Sequence, residues 1–542
     1  MELTLNATGH DRTHRHLMSL TSPDNARRAA FLAAILTISI LFAALRQYGI
    51  GHLLVWDEAM QLLTVRSFLA GNEDYFSGWF WRHPPLFSLL MTLTGPETSD
   101  FAERTQHVAM AFALANLVIL SLMAARSHGV LPAIFASICL ALMPGAVFFD
   151  TWIKADAAVA TFGLLGILTA PTRPFICGAC IAIAFLFKET ALFYFPACIA
   201  IAWSRSSSPW NAVRRVAAVA GPAVLAVACW YPLAWLTQGD FTYIFGLGHL
   251  KFALASDGGW SAPWHYYLSE LLLILGLPGV VLLAIGTIAP FIRRVSDRDK
   301  ADSTALPTYW PLAIVVPALV FLSLLPAKVP WILISLLPPL AMIEGLGAAA
   351  CIRAARSIVG LVVRRRTGLL AEFPAFAAAF AVSASLVPAA IAALDYEAFL
   401  MRLAPGQWLG AMLSRANARA VSALVADDDR FLITSFHYWK GLTPAAPCPV
   451  FTYYMTRRPL VLIEDNDAPF ERLAAKAAAY QIDWALLSPE PGPREYEVFD
   501  GFSRKLGCPY IPLHRAFLFR VKSGKAGGAD SLSGHHVPEP DE

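Results

Sequence analysis

Long apolar segments recur along the chain between about residue 29 and residue 394, separated by short polar connections. A helix needs roughly 20 apolar residues to cross a bilayer core of about 30 Å, and most of these segments approach that length. The pattern therefore predicts about eleven membrane-spanning helices, and at most about thirteen. The predicted spans are 29–47, 107–125, 130–148, 155–170, 174–188, 189–203, 214–236, 266–290, 309–326, 330–350 and 372–394.

The pattern changes after residue 394, where short runs rich in branched and aromatic residues replace the long apolar segments. Such runs are typical of strands. With an alanine-rich helical run at 469–480 between two of them, they favour a small α/β domain. The predicted strands are 430–434, 459–463, 484–487 and 516–520. The predicted parts are a cytoplasmic N-terminal tail (1–28), a transmembrane domain (29–394), an extracytoplasmic α/β domain (395–523) and a disordered end (524–542).

Basic residues are concentrated in alternate connections between the predicted spans, and this asymmetry sets the orientation. If the N-terminus lies in the cytoplasm, the cytoplasmic connections include arginine-rich segments such as 293–300 and 353–366, whereas the opposite short connections each carry a single lysine. Loop 51–87 and the chain after residue 394 then lie outside the cytoplasm. Because the N-terminus lacks the basic start of a signal peptide, we expect the first span to remain as an anchor. We expect a multi-pass protein of a bacterial inner membrane.

The composition supports a membrane protein and argues against a nucleic-acid-binding protein. The 542 residues are 57% hydrophobic and 15% charged, against about 25% charged residues in soluble domains. The net charge of +3 is small, and no basic patch interleaved with aromatic residues indicates nucleic-acid binding. Cys448 and Cys508 lie in the predicted exported domain, where a disulfide and two free thiols are both open.

Two adjacent acids, Asp57 and Glu58, follow the first predicted span. Carboxylates are costly to hold near lipid, and their presence there usually marks function. A carboxylate can accept a proton from an attacking hydroxyl, lysines can neutralise a phosphate, and aromatic rings can stack on sugars. The predicted outer face carries all three kinds of group: Asp57, Glu58, Asp150 and Asp156; Arg82, His83, Lys154, Lys188 and Lys328; Trp79, Trp81, Trp260, Trp264 and Tyr266.

The order of these motifs resembles the GT-C glycosyltransferases, in particular the protein-O-mannosyltransferase-like, aminoarabinose-transferase-like and rhizobial galacturonosyltransferase-like group. The resemblance covers about residues 30–350, and two positions depart from the family pattern: His83 replaces a frequent Lys, and Trp331 replaces the usual Tyr. The matching motifs are Asp57-Glu58, His83-Pro84-Pro85-Leu86, Lys154-Ala-Asp156, Lys188-Glu189 with Pro196, and Lys328-Val-Pro-Trp331 with Pro338.

The resemblance implies an inverting enzyme that moves a sugar from a polyprenyl-phosphate donor to lipid A or lipopolysaccharide, another envelope glycan or a protein. Asp57 would be the base, and Asp156 and Glu58 the other catalytic residues. The substrate-binding side chains would be Arg82, His83, Lys154, Lys188, Lys328, Tyr266 and Trp264. The resemblance implies no required cofactor. A divalent cation at the acids stays open, although no metal-ligand spacing points to one.

Each residue also has a structural interpretation. Asp57 and Glu58 could begin a helix, the lysines could extend along the membrane surface, and Tyr266 and Trp264 could belong to an aromatic belt. A transporter or flippase of lipid-linked saccharides is the alternative function, because it too needs charges beside apolar helices. The sequence leaves open the donor sugar, the acceptor, metal dependence and the oligomeric state.

Overall fold

A computed structural model of the chain describes residues 23–71, 80, 84–238, 261–294, 306–362, 369–434, 449–455, 460–464, 470–487, 510–513 and 516–521. The chain divides into two compact units. The first unit comprises Met1–Gly51, Trp81–Phe87 and Ala102–Phe399, and the second comprises His52–Phe80, Ser88–Phe101 and Leu400–Glu542. The segment that carries Asp57, which the sequence analysis assigned to the transmembrane domain, thus groups with the C-terminal region. Arg82, His83, Cys448 and Cys508 lie outside the described residues.

Helices account for most of the described structure. They are α1 (Pro23–Gln47), α2 (Trp56–Leu69), α3 (Leu86–Met91), α4 (Phe101–His128), α5 (Val130–Leu142), α6 (Pro144–Phe149), α7 (Asp156–Thr169), α8 (Pro174–Phe187), α9 (Phe195–Ser204), α10 (Pro209–Gln238), α11 (Tyr266–Arg294), α12 (Trp310–Leu324), α13 (Leu337–Val362), α14 (Leu369–Ala392), α15 (Tyr396–Leu403), α16 (Pro405–Leu424), α17 (Pro449–Tyr454) and α18 (Phe470–Ala479). Short 3-10 helices span Thr92–Thr94, Glu189–Phe193 and Pro330–Leu336.

An apolar helix lies in each predicted span, which confirms a multi-pass helical membrane protein. Among the described residues, six helices are long and apolar enough to cross a membrane: Asn25–Gln47, Phe101–His128, Pro209–Leu233, Tyr266–Ala289, Pro330–Ser357 and Ala375–Ala392. Apolar helices of 10–17 residues occupy the other predicted spans. The predicted span 130–148 is two helices, because Pro144 lacks the backbone N–H that a continuous helix would need.

Four helices of the first unit, α5, α11, α12 and α14, pack against Pro330–Ser357, whose most apolar stretch is 94% buried. Close contact with α11 depends on two glycines. A Cβ on Gly286 would come within 1.8 Å of the Ile343 carbonyl oxygen, and one on Gly347 within 2.1 Å of the Leu282 carbonyl oxygen. Small residues of this kind let membrane helices approach backbone to backbone.

A small sheet forms in the second unit. Its described strands are β1 (Arg430–Thr434), β2 (Leu460–Glu464), β3 (Trp484–Leu487), β4 (Tyr510–Leu513) and β5 (Ala516–Arg520), in the order β2-β1-β3-β5-β4. β1 pairs in parallel with β2 and β3, and β5 pairs antiparallel with β3 and β4. Leu473 and Ala477 of α18 join Leu432 and Phe519 in one buried cluster. The predicted α/β character is confirmed, and β4, which contains Pro512, was not predicted.

Candidate functional site

The first turn of α2 carries the two adjacent acids. The helix begins at Trp56 after an extended Val55 (φ −91°, ψ 174°), so Asp57 and Glu58 lie where the backbone N–H groups have no helical acceptor. Negative charge is favourable at this end of a helix. Asp57 is half-buried, whereas Glu58 is fully buried. Asp57 is therefore the acid of the pair that remains partly exposed to solvent.

Glu58 is held by its own loop. Its Oε2 accepts the Val55 N–H at 3.1 Å, the contact of an acid that closes back onto the residue before the helix. The Nε2 of His52 lies 3.0 Å from Oε1 and 3.2 Å from Oε2. Since the side chains of His52 and Glu58 are both almost completely buried, these contacts fix the path of the chain from His52 into α2.

Asp156 and Lys188 form an ion pair in the first unit. α7 begins at Asp156, and Lys188 stands in extended conformation directly after α8. Lys188 Nζ donates to Asp156 Oδ2 at 2.7 Å, and the Thr190 hydroxyl donates to Oδ1 at 3.3 Å. Asp156 is fully buried, while the Lys188 side chain is 22% exposed. Part of the Lys188 side chain therefore remains open to solvent.

Lys154 lies close to two indole rings. Its Nζ is 5.2 Å from the ring centroid of Trp152 and 4.5 Å from that of Trp331. Both distances are within the range of a cation–π interaction. Trp331, one of the two departures from the family pattern, thus contacts a lysine that the sequence analysis selected for substrate binding. Lys154 also stands two residues before Asp156, the partner of Lys188.

Asp150 pairs with Arg46, a residue outside the motifs that predicted the site. Arg46 Nη2 lies 2.9 Å from Asp150 Oδ2, and the guanidinium also donates to the carbonyl oxygens of Leu140 and Ala141. Burial raises the pKa of Asp150 to about 6, and the Arg46 charge opposes the rise. The signal in the sequence was an arginine in the last turn of an apolar span, a costly position that implies a partner.

Lys328 caps a helix. Its Nζ donates to the carbonyl oxygens of Leu322, Ser323 and Leu325 at the end of α12. Burial lowers the pKa of its ammonium. The phosphate contact of Lys328 stays a prediction. In this conformation a phosphate would compete with three backbone carbonyl oxygens for the Lys328 ammonium.

The aromatic candidates differ in environment. Trp264 is 68% exposed, as expected of a residue in a membrane–water belt. Tyr266 is partly buried and stacks edge to face on Tyr267, with ring centroids 5.3 Å apart. Tyr267 is buried, and its hydroxyl accepts the Val329 N–H at 3.2 Å. Nothing in its local sequence distinguishes it from Tyr266, so its role emerges only from the fold.

The described candidates thus form two sets. Asp57 and Glu58 lie in the second unit, and Lys154, Asp156, Lys188, Lys328, Trp264 and Tyr266 lie in the first. Within the described part of the chain, no group of three or more His, Cys, Asp or Glu side chains is arranged to hold a metal ion.

No protein-family model and no curated protein matches the chain, but solved structures do. ArnT from Cupriavidus metallidurans bound to undecaprenyl phosphate matches with a TM-score of 0.58 and 15% identity, over 93% of this chain and 99% of ArnT. The apo state of the same protein gives 0.60 and 14%, over 94% and 100%. The Archaeoglobus fulgidus oligosaccharyltransferase tethered with an acceptor peptide gives 0.52 and 11%, over 88% of this chain and 71% of the other. The chain therefore has the fold of the GT-C glycosyltransferases, as its motifs predicted.

Proposed function

We propose that this protein is a membrane glycosyltransferase that moves a sugar from a polyprenyl-phosphate donor to an acceptor on the extracytoplasmic face of the inner membrane. The observation that carries the proposal is the gathering of Lys154 and Lys188 around the start of α7, within a fold shared with a protein that binds undecaprenyl phosphate. Lysine ammonium groups suit a phosphate as point charges.

The two lysines are prepared for an anion in different ways. Asp156 holds Lys188 in place through one carboxylate oxygen while part of the lysine side chain stays exposed. The ammonium of Lys154 lies within cation–π distance of the rings of Trp152 and Trp331. Both ammonium groups would stabilise the negative charge that grows on the phosphate oxygen as the donor bond breaks. Arg82, His83 and Lys328 remain further candidates for the same phosphate.

Asp57 would act as the base. Its carboxylate takes the proton of the acceptor hydroxyl, whose oxygen forms a bond to the anomeric carbon of the sugar. The bond between that carbon and the phosphate oxygen breaks on the opposite face, so the configuration inverts and polyprenyl phosphate leaves as an anion. A phosphate leaving group needs no protonation, which is why one base is sufficient. Asp156, already paired with Lys188, would order the donor side, and Trp264 and Tyr266 would border the sugar.

The test uses membranes that contain the full-length protein, a synthetic polyprenyl-phosphate sugar and envelope glycolipid acceptors. Asp57→Asn should lower the rate of sugar transfer by about 10²–10⁴-fold, the usual contribution of a general base. Asp428→Asn is the matched control, because Asp428 is an exposed acid of the same unit. Equal rates for Asp57→Asn and the parent protein would exclude Asp57 as the base. Sugar that crosses sealed vesicles without transfer would instead support the transporter alternative.

A further inference from the structure

The segment that leads into α2 is unusually constrained for a connection between helices. Leu53, Leu54 and Val55 are 2%, 2% and 0% exposed. The Val55 N–H is bound by Glu58, and Glu58 is bound in turn by His52. Since these contacts flank Asp57, the position of its carboxylate follows from the position of this segment.

Tyr454, which lies 400 residues after Leu54 in the chain, makes a further contact with this segment. The hydroxyl of Tyr454, in α17, accepts the Leu54 N–H at 3.2 Å. α17 packs against α2 and against α16, all within the second unit. Without this hydroxyl, the buried Leu54 N–H would lose a partner, and a buried N–H without a partner is costly.

The charged neighbours of Tyr454 include Glu58. Burial raises the pKa of the Tyr454 phenol and the nearby Glu58 carboxylate raises it further, whereas the Leu54 N–H, Arg415 and Arg419 lower it. Arg415 and Arg419 belong to α16. Tyr454 thus lies close to Glu58, the neighbour of Asp57 in the chain, and to two arginines of α16.

The neighbouring tyrosine holds the opposite end of α2. Arg66, in the last turn of α2, lies with its guanidinium carbon 5.2 Å from the ring centroid of Tyr453. The same guanidinium donates to the carbonyl oxygens of Pro96 and Thr98 at 2.7 and 3.1 Å. One short helix, α17, thus contacts the segment before α2 through Tyr454 and the end of α2 through Tyr453.

We infer that Tyr454, supported by Tyr453, is a positioning residue that fixes the start of α2 and with it the carboxylate of Asp57. The inference rests on the proposed function, because it assigns a purpose to the position of the base. The C-terminal region then serves the reaction without contacting the reacting atoms. A displacement of the base by about 1 Å can lower the rate by 10²-fold. Loss of the hydrogen bond between Leu54 and Tyr454 should therefore lower kcat.

Hydrogen exchange tests the contact without reference to activity. In Tyr454→Phe, amide exchange in peptides that cover 52–58 should accelerate by about tenfold, the effect expected for one lost buried hydrogen bond. Tyr480→Phe removes an exposed hydroxyl from the same unit and should leave that exchange unchanged. Parental exchange in Tyr454→Phe would overturn the inference.

Kinetic constants show whether Tyr454 positions the base, contributes to donor binding or only stabilises the protein. Tyr454→Phe should lower kcat by about tenfold while the KM for the donor stays parental, since misplacing the base affects the transition state more than donor binding. If Asp57→Asn abolishes transfer but Tyr454→Phe keeps the parental kcat, the positioning role is wrong and the proposed function stands. If Asp57→Asn transfers sugar at the parental rate, the base assignment and the catalytic purpose of Tyr454 both fail, whatever the exchange result.

Discussion

Lys188 Nζ lies 2.7 Å from Asp156 Oδ2, and this ion pair joins the residue after α8 to the first residue of α7. The arrangement suits both helices, because an acid is favourable at a helix N-terminus and a cation at a C-terminus. It also places a lysine with part of its surface exposed beside a segment that contains Lys154. The pair therefore has a structural and a proposed catalytic role, and the two can be separated by measurement.

Breaking the pair on one side should destabilise the protein. Removing one partner of a buried ion pair costs about 3–5 kcal/mol, and since the Lys188 side chain is 22% exposed, Lys188→Met should cost near or below the lower limit. Asp156→Asn should cost less, because the amide oxygen can still accept a hydrogen bond. Thermal unfolding in detergent checks both values. In the double variant Lys188→Met/Asp156→Asn the loss should be smaller than the sum of the two single losses, and strict additivity would contradict the coupling.

Trp331 should contribute to donor binding through Lys154. Trp331→Leu removes one of the two rings and should weaken donor binding by about 0.5–2 kcal/mol, the range of a cation–π interaction. Trp331→Tyr keeps a ring and should lose less. Titration of the purified protein with polyprenyl phosphate measures the Kd. Trp203→Leu, at an exposed tryptophan of α9, is the control, and a parental Kd for Trp331→Leu would remove Trp331 from the donor site.

Lys328 should contribute to stability through the end of α12. Lys328→Met removes three donors from backbone carbonyl oxygens and should lower the free energy of unfolding by about 0.3–2 kcal/mol. The melting temperature of the variant in detergent reports this loss. The Kd of the same variant for the donor shows whether Lys328 also binds the phosphate. A Kd raised tenfold or more would support phosphate binding, whereas a parental Kd would leave Lys328 with only its role as a helix cap.

The burial of Asp150 should make stability depend on pH, and the Arg46 charge should reduce this effect. The pKa of Asp150 is raised from 3.8 to about 6 by burial. The folded state thus binds a proton more tightly than the unfolded state, so this contribution to stability is complete below pH 3.8 and is lost as the pH rises through about 6. Asp150→Asn cannot titrate, so unfolding profiles between pH 4.5 and 7 should be flatter than those of the parent protein. Parallel profiles for the two proteins would contradict the shift.

The sequence by itself determined the membrane-spanning helices and most strands, because length, apolarity and residue shape are local properties. A stretch such as Tyr266–Ala289 is recognisable without its neighbours, since a bilayer of fixed thickness selects its length. The order of short motifs was sufficient to predict the fold, although the identities to the matched structures are only 11–15%. The strand β4 was missed because it is four residues long and contains Pro512, which disfavours a strand prediction.

Only the tertiary structure decided which charges meet. Arg46 and Asp150 are 104 residues apart, Asp156 and Lys188 are 32 apart, and Leu54 and Tyr454 are 400 apart. Buried charged groups need partners, because an unpaired charge is costly away from water. Which residues pair depends on how the helices pack, and no local sequence pattern contains that information. The sequence already favoured Asp57 over Glu58 as the base, but only the fold shows that Asp57 is partly exposed and that Glu58 is buried against His52.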